Sequence, residues 1–235
     1  SVSGFFFRDI PTRVVVNLLW SLGRLLEIAQ VRRRLVLAGR HQPAIGAEII
    51  VFLEDHLKVE LHQEKSRIKK EDLEALIVDC TEQRIERPKD KTEQERYYSG
   101  KKKTHTKKTE VIIGEDKKIL YVSDSHEGSK HDLSIRRESR QFPEGHFYGD
   151  GAYTGYDKEH KGLIDFPYRK PKERELDGEE KEYNRGISRF RVRIEHIFGQ
   201  LKIFKCLSER YRYPRKNYNF KFNIIAGINN VKNGF

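Results

Sequence analysis

The stretch LEALIVDC, residues 73–80, constrains the fold more than any other feature of the chain. It is a short apolar run that stops at an acid, Asp79, and this is the pattern of a buried strand. Two further runs follow, THTKKTEVIIG and KKILYVSDS, separated by Gly114, Glu115 and Asp116. They predict a hairpin with a polar turn. HDLSIRRESR predicts a helix with His131 or Asp132 near its start. HFYGDGAY predicts a short strand that runs into a Gly-rich turn, and LIDFPYR one more strand. A long helix is predicted over about 177–205, with Glu179 and Glu180 in its first turn, where the helix dipole favours anions. FKFNIIAGINNVKN predicts a terminal helix. The sequence is thus that of an α/β domain with a central mixed β-sheet flanked by helices, over residues 73–235.

Residues 1–72 have a different pattern and are expected to form a helical N-terminal segment. Leu18, Leu19, Leu22, Leu25, Leu26 and Val31 recur at helical spacing. Arg32, Arg33 and Arg34 make a basic cluster, and Gly39, Pro43 and Gly46 mark a loop. A second helix is expected over about 48–64.

With a formal net charge of +11 and a pI near 9.5, the chain favours polyanionic partners, of which nucleic acid is the commonest. The two cysteines, Cys80 and Cys206, stand far apart and outside any metal-ligand spacing. They read as small hydrophobes in a reducing compartment. No stretch approaches the roughly 20 apolar residues of a membrane span. The expected location is therefore cytoplasmic, with no membrane partner.

Three acids stand out by position. Asp79 ends the first apolar run. Asp150 ends another, between Gly149 and Gly151, which leave a ligand room to approach the backbone. Each could also be a cap or turn residue. Glu195 borders the apolar stripe Phe190, Ile194, Ile197, Phe198 and Leu201 of the long helix, where a carboxylate is usually paired or coordinated. Arg191, four residues earlier, offers it an ordinary helix-face ion pair. Phosphodiester chemistry uses two divalent ions about 4 Å apart, and Mg²⁺ takes hard oxygen ligands from only a few carboxylates. Two strand acids and one helix acid satisfy that requirement.

The stretches VDCTEQRIERPKD, YYSGKKKTHTKK, GSKHDLSI, GDGAYTGY and RFRVRIEHIFGQLK occur in an order and spacing that resemble the DDE transposases of bacterial insertion sequences, in particular the family named after insertion sequence five. The resemblance implies an RNase H-like fold and a Mg²⁺- or Mn²⁺-dependent endonuclease and strand transferase with two ions per active site. It implies that Asp79, Asp150 and Glu195 are both the catalytic residues and the metal ligands. A Tyr-Arg-Glu-Lys pattern along the helix is met by Arg191, Glu195 and Lys202, with Ser188 at the tyrosine position. Double-stranded DNA, as transposon ends and target, is the implied partner, bound by a homodimer in association with the bacterial nucleoid. Lys101, Lys102, Lys103, His105, Lys107 and Lys108, with Arg191 and Lys202, are the expected DNA contacts. His131 and Asp132 are expected near the metals, although Asp132 also suits a helix start. In the family, the region before the first aspartate reads transposon ends; residues 1–72 are short for that role. Two alternatives remain open from the sequence: a transposase relic that binds DNA without cutting it, and a stand-alone RNase H-like nuclease.

Overall fold

The structure is a computed structural model and describes residues 68, 70–212, 215 and 218–235. The helices, basic cluster and loop expected within residues 1–67 lie outside the described residues.

Three long strands form the centre: β1 Leu76–Arg84, β3 Thr104–Ile113 and β4 Ile119–Glu127. Three short ones complete the sheet: β2 Tyr98–Ser99, β5 Phe147–Tyr148 and β6 Ile164–Asp165. β3 pairs antiparallel with β1 and, through the same residues 107–113, with β4, so these two strands lie on its opposite edges. β2 pairs with the first two residues of β3. Beyond β1 the pairing turns parallel, to β5 and then β6. The resulting order β4-β3-β1-β5-β6, with β3 alone running against its neighbours, is the strand arrangement of an RNase H-like fold. The predicted hairpin is β3–β4, and its polar turn closes with the Gly114 N–H donating to the Lys118 carbonyl at 2.9 Å.

Alternation along the strands sorts the core into two layers. Ile77, Val111 and Ile113 pack under the long helix α3, Gly178–Leu201, and the terminal helix α5, Tyr218–Lys232. Leu76, Val78, Ile112 and Leu120 point the other way, to Phe142, Phe147, Tyr153 and Tyr156. Because both faces are covered, β1 begins as an unbroken apolar run rather than an alternating one. Two short helices, α1 Lys91–Tyr97 and α2 Asp132–Glu138, connect the strands, and a single turn, α4 Lys205–Ser208, follows α3.

The ends of α3 are set by local chemistry. The Asp177 carboxylate accepts from the Glu180 N–H at 2.8 Å, while Glu180 accepts from the Asp177 N–H at 3.0 Å. This reciprocal box satisfies two N–H groups at the helix end, where no carbonyl of a preceding turn is available. Ile187, Ile194, Ile197, Phe198 and Leu201 form the buried stripe, each worth about 1.5–3 kcal/mol of apolar burial.

One expectation needs correction. Asp79 does not close a strand: it is the fourth of the nine residues of β1. β5 pairs with β1 only at Leu76 and Ile77, and further along the same edge the Tyr211 N–H donates to the Arg84 carbonyl at 2.8 Å. The strand itself continues, held by β3 as far as Arg84.

Among the described residues, the largest fully buried side chain is charged. Arg136 on α2 donates to Glu110 Oε1 at 2.8 Å, and neither side chain is exposed. Its guanidinium also donates to the Arg140 carbonyl and lies over the Phe147 ring at 5.4 Å. Burial pushes the Glu110 carboxyl up to about 7, against the opposing pull of Arg136. Among the described residues no helix is long and apolar enough to cross a membrane.

Candidate active site

The parallel register of β1 and β5 pairs Leu76 with Phe147 and Ile77 with Tyr148. Carried two residues further, it puts Asp79 and Asp150 at the same level, just beyond the carboxyl end of β5. Ligand sites of α/β sheets form at such strand ends. Each acid has one oxygen committed to the backbone. Asp79 Oδ1 accepts from the Cys80 N–H at 2.7 Å. Asp150 Oδ1 caps the 3-10 turn Gly151–Tyr153 by accepting from the Ala152 N–H at 2.8 Å. The other oxygens converge, with Arg191 Nη2 lying 3.8 Å from Asp79 Oδ2 and 4.0 Å from Asp150 Oδ2.

These contacts are too long for hydrogen bonds, and Arg191 Nε is buried without a partner. The shared guanidinium therefore neutralises the pair incompletely. Burial, reinforced by the Asp150 charge, raises the Asp79 carboxyl to about 6 despite Arg191. Two converging carboxylate oxygens short of positive charge are a donor set for a hard divalent cation such as Mg²⁺ or Mn²⁺.

Glu195 is on α3 one turn beyond Arg191, and its side chain is exposed. At 100° per residue, Arg191, Glu195 and Lys202 share one face of the helix. Among the described residues, however, no three His, Cys, Asp or Glu side chains are grouped closely enough to hold a metal ion. The structure thus brings Asp79, Asp150 and Arg191 together and leaves Glu195 beside them on the helix rather than in contact.

The expected basic residues divide. Lys101, Lys102 and Lys103 are exposed in the turn between β2 and β3. Lys202 caps the end of α3, where burial and the neighbouring Lys102 lower its ammonium pKa, while Asp79 and Glu82 oppose the shift. His105 is half-buried, edge-on to Tyr98. Lys107 is not a surface contact: it is 7% exposed, donates to Ser125 Oγ at 3.1 Å and to the Arg215 carbonyl at 3.3 Å, and lies over the Tyr218 ring. Helix α5 closes over it. Lys108 is 8% exposed, ion-paired with Asp132 Oδ1 at 2.8 Å and donating to the Lys130 carbonyl at 2.8 Å. His131, rather than Asp132, is the N-cap of α2, accepting from the Leu133 N–H at 3.3 Å. Asp132 opens the helix and is near enough to Asp79 to add to the rise of its pKa.

Several contributors carried no local signal in the sequence. Glu82 accepts from Thr106 Oγ1 at 2.8 Å and lies 3.9 Å from Lys108 Nζ. Cys80 Sγ lies 3.3 Å from the Tyr153 hydroxyl, and burial holds the thiol well above its ordinary range. Cys206 is half-buried against the core.

Two acids at one level beside the carboxyl end of β5, faced by Arg191 of the helix that crosses them, sit on an RNase H-like strand arrangement. The chain belongs to the DDE superfamily endonuclease family, which matches residues 78–230 and whose chemistry depends on divalent metal ions. It is also 38% identical, over 178 residues, to the probable transposase for insertion sequence element IS702 of Microchaete diplosiphon. That alignment covers 74% of this chain and 63% of the relative, so the chain spans less than two thirds of the length of the protein it matches. No solved structure matches the chain.

Proposed function

We propose that the protein is a transposase, which cuts DNA at the ends of an insertion sequence and joins the freed 3′-hydroxyl to target DNA. Asp79, Asp150 and Glu195 are the proposed ligands of two Mg²⁺ or Mn²⁺ ions. The observation that carries this reading is the convergence of the Asp79 and Asp150 Oδ2 atoms on Arg191 Nη2. Membership of the endonuclease family and similarity to the IS702 protein support it.

When bound at these carboxylates, divalent ions supply activation of the attacking oxygen and stabilisation of the leaving one. The chain's own groups prepare that chemistry. The Cys80 and Ala152 N–H groups fix one oxygen of each aspartate, so the other is already aimed before a ligand arrives. Glu195 completes the ligand set from the helix. Arg191 counters the charge of the two aspartates and, beside them, would be within reach of a DNA phosphate at the site. Lys202 and the exposed lysines of the β2–β3 turn hold the DNA backbone. Residues 1–72 are assigned to end recognition or assembly, and a homodimer to the pairing of two ends on the nucleoid.

The test is a nicking and strand-transfer assay on DNA carrying the element's ends, with Mg²⁺. Nicked and joined products are expected from the wild type and neither from Asp150→Ala. Undiminished cutting by Asp150→Ala would sink the proposal, and cutting without joining would assign a nuclease instead.

A further inference from the structure

The register pairs of β1 and β5 end at Ile77–Tyr148, so Asp79 and Asp150 both lie beyond the last of them. Arg191 faces both acids from the helix, but at 3.8 and 4.0 Å it makes a hydrogen bond to neither. A closer link lies behind them. Cys80 follows Asp79 on β1, and Cys80 Sγ is 3.3 Å from the Tyr153 hydroxyl. Tyr153 ends the 3-10 turn that Asp150 caps, and its N–H donates to the Asp150 carbonyl at 3.2 Å. One side-chain contact therefore joins the residue after the first acid to the turn that carries the second.

The surroundings hold that contact in place. Tyr153 is 0% exposed, in the core layer of Val78, Ile112 and Phe147. Its ring presses on the backbone just before Asp150: a Cβ at Gly149 would lie 3.2 Å from Tyr153 Cδ2 and 2.8 Å from Phe166 Cε1. Alternation along β1 puts Cys80 in this layer with Val78, while Asp79 follows Ile77 on the face beneath α3. The tie thus acts from the rear and leaves the carboxylate face to a ligand. The Cys80 and Ala152 N–H groups orient one oxygen of each acid, but these local bonds do not fix the distance between the acids. A contact between the two segments does.

We propose that Tyr153 and Cys80 are positioning residues, whose contact sets the spacing of Asp79 and Asp150 and with it the affinity of the pair for divalent cations. The proposal rests on the reading of the two acids as metal ligands and adds the groups that hold them apart. Mg²⁺ demands near-ideal geometry, with bonds of about 2.0–2.1 Å, so a pair of acids free to drift binds it less well.

The test is a Mn²⁺ titration of the full chain without DNA, with free Mn²⁺ followed by electron paramagnetic resonance. Tyr153→Phe keeps the buried ring and loses the hydroxyl; Cys80→Ala keeps a small side chain and loses the thiol. Each is expected to raise the Kd for Mn²⁺ about tenfold, the lower end of what loss of a group behind a metal ligand costs. The double variant is expected to be no weaker than either single one, because both changes remove the same contact. Asp177→Ala, a loss of stability at the far end of α3, is expected to bind Mn²⁺ as the wild type does. A merely structural role would lower the melting temperature of Tyr153→Phe without moving its Mn²⁺ affinity. Wild-type affinity in either single variant, a double variant weaker by the product of the two losses, or an equal loss in Asp177→Ala would overturn the tie. Absence of Mn²⁺ binding by the wild type would overturn the metal-ligand reading beneath it.

Discussion

Asp79 and Asp150 stand at one level of two parallel strands, and a single nitrogen of Arg191 lies 3.8 Å from the first and 4.0 Å from the second. The acids come from β1 and from the turn after β5; the arginine comes from the helix that crosses them. Three separate parts of the chain therefore meet at one point of concentrated charge.

If Arg191 supplies the counter-charge of the cation-free site, Arg191→Ala leaves two carboxylates facing each other with less compensation. The metal-free variant is expected to melt below the wild type, and added Mg²⁺ is expected to raise its melting temperature by more than it raises the wild type's. Thermal melting with and without Mg²⁺ checks this without reference to activity. Equal Mg²⁺ shifts in the two proteins would show that the guanidinium does not neutralise the pair.

The Arg136–Glu110 pair is expected to be costly to break from one side. Arg136→Met leaves a buried carboxylate without its partner, and loss of one member of a buried pair typically costs about 3–5 kcal/mol. Urea denaturation measures it. A change below about 1 kcal/mol would mean that the pair contributes little.

Glu110 also gives a pH dependence whose sign can be worked out. Its carboxyl rises from the ordinary 4.5 to about 7 on folding, chiefly through burial. Between these values the folded state binds more protons than the unfolded state, so this group's contribution to stability falls as pH rises through the window. Below pH 4.5 the penalty is absent, and above about 7 it is fully present. Glu110→Gln is expected to flatten the decline in metal-free melting temperature between about pH 4.5 and 7, whatever its offset at any one pH.

Lys107 and Lys102 belong to one basic run of the sequence, yet they are expected to behave differently. Lys107→Ala removes a buried ammonium with two acceptors and should cost roughly 1–3 kcal/mol of stability, with no change in the salt dependence of DNA binding. Lys102→Ala should leave stability within about 0.5 kcal/mol and lower the salt slope by about 0.9. Paired melting curves and salt titrations separate the two roles.

Asp177→Ala removes one half of the capping box at the start of α3 and is expected to cost about 0.5–2 kcal/mol. The helix carries Arg191, Glu195 and Lys202 more than three turns further on, where the loss of a cap is not felt. Stability should therefore fall while Mg²⁺ affinity, measured by titration calorimetry, stays the same.

The amino-acid sequence by itself determined the local elements and the chemistry available to them. The β3–β4 hairpin follows from two apolar runs around a Gly-Glu-Asp turn, and α3 follows from its stripe and its acidic first turn. Both depend on residues a few positions apart, whose hydrogen bonds and periodicity can be read along the chain. The candidate acids were legible too, because an acid that interrupts an apolar run is conspicuous. Only the tertiary structure decided which charges meet. The level shared by Asp79 and Asp150 comes from a parallel pairing of distant segments, and Arg191 reaches both because α3 packs across that pairing. The burial of Lys107, Lys108, Arg136 and Glu110 depends on what folds over each of them. A lysine under α5 and a lysine in an open turn have the same local sequence signature. Whether a charge is desolvated is a property of the assembled layers, and no stretch of the sequence carries it alone.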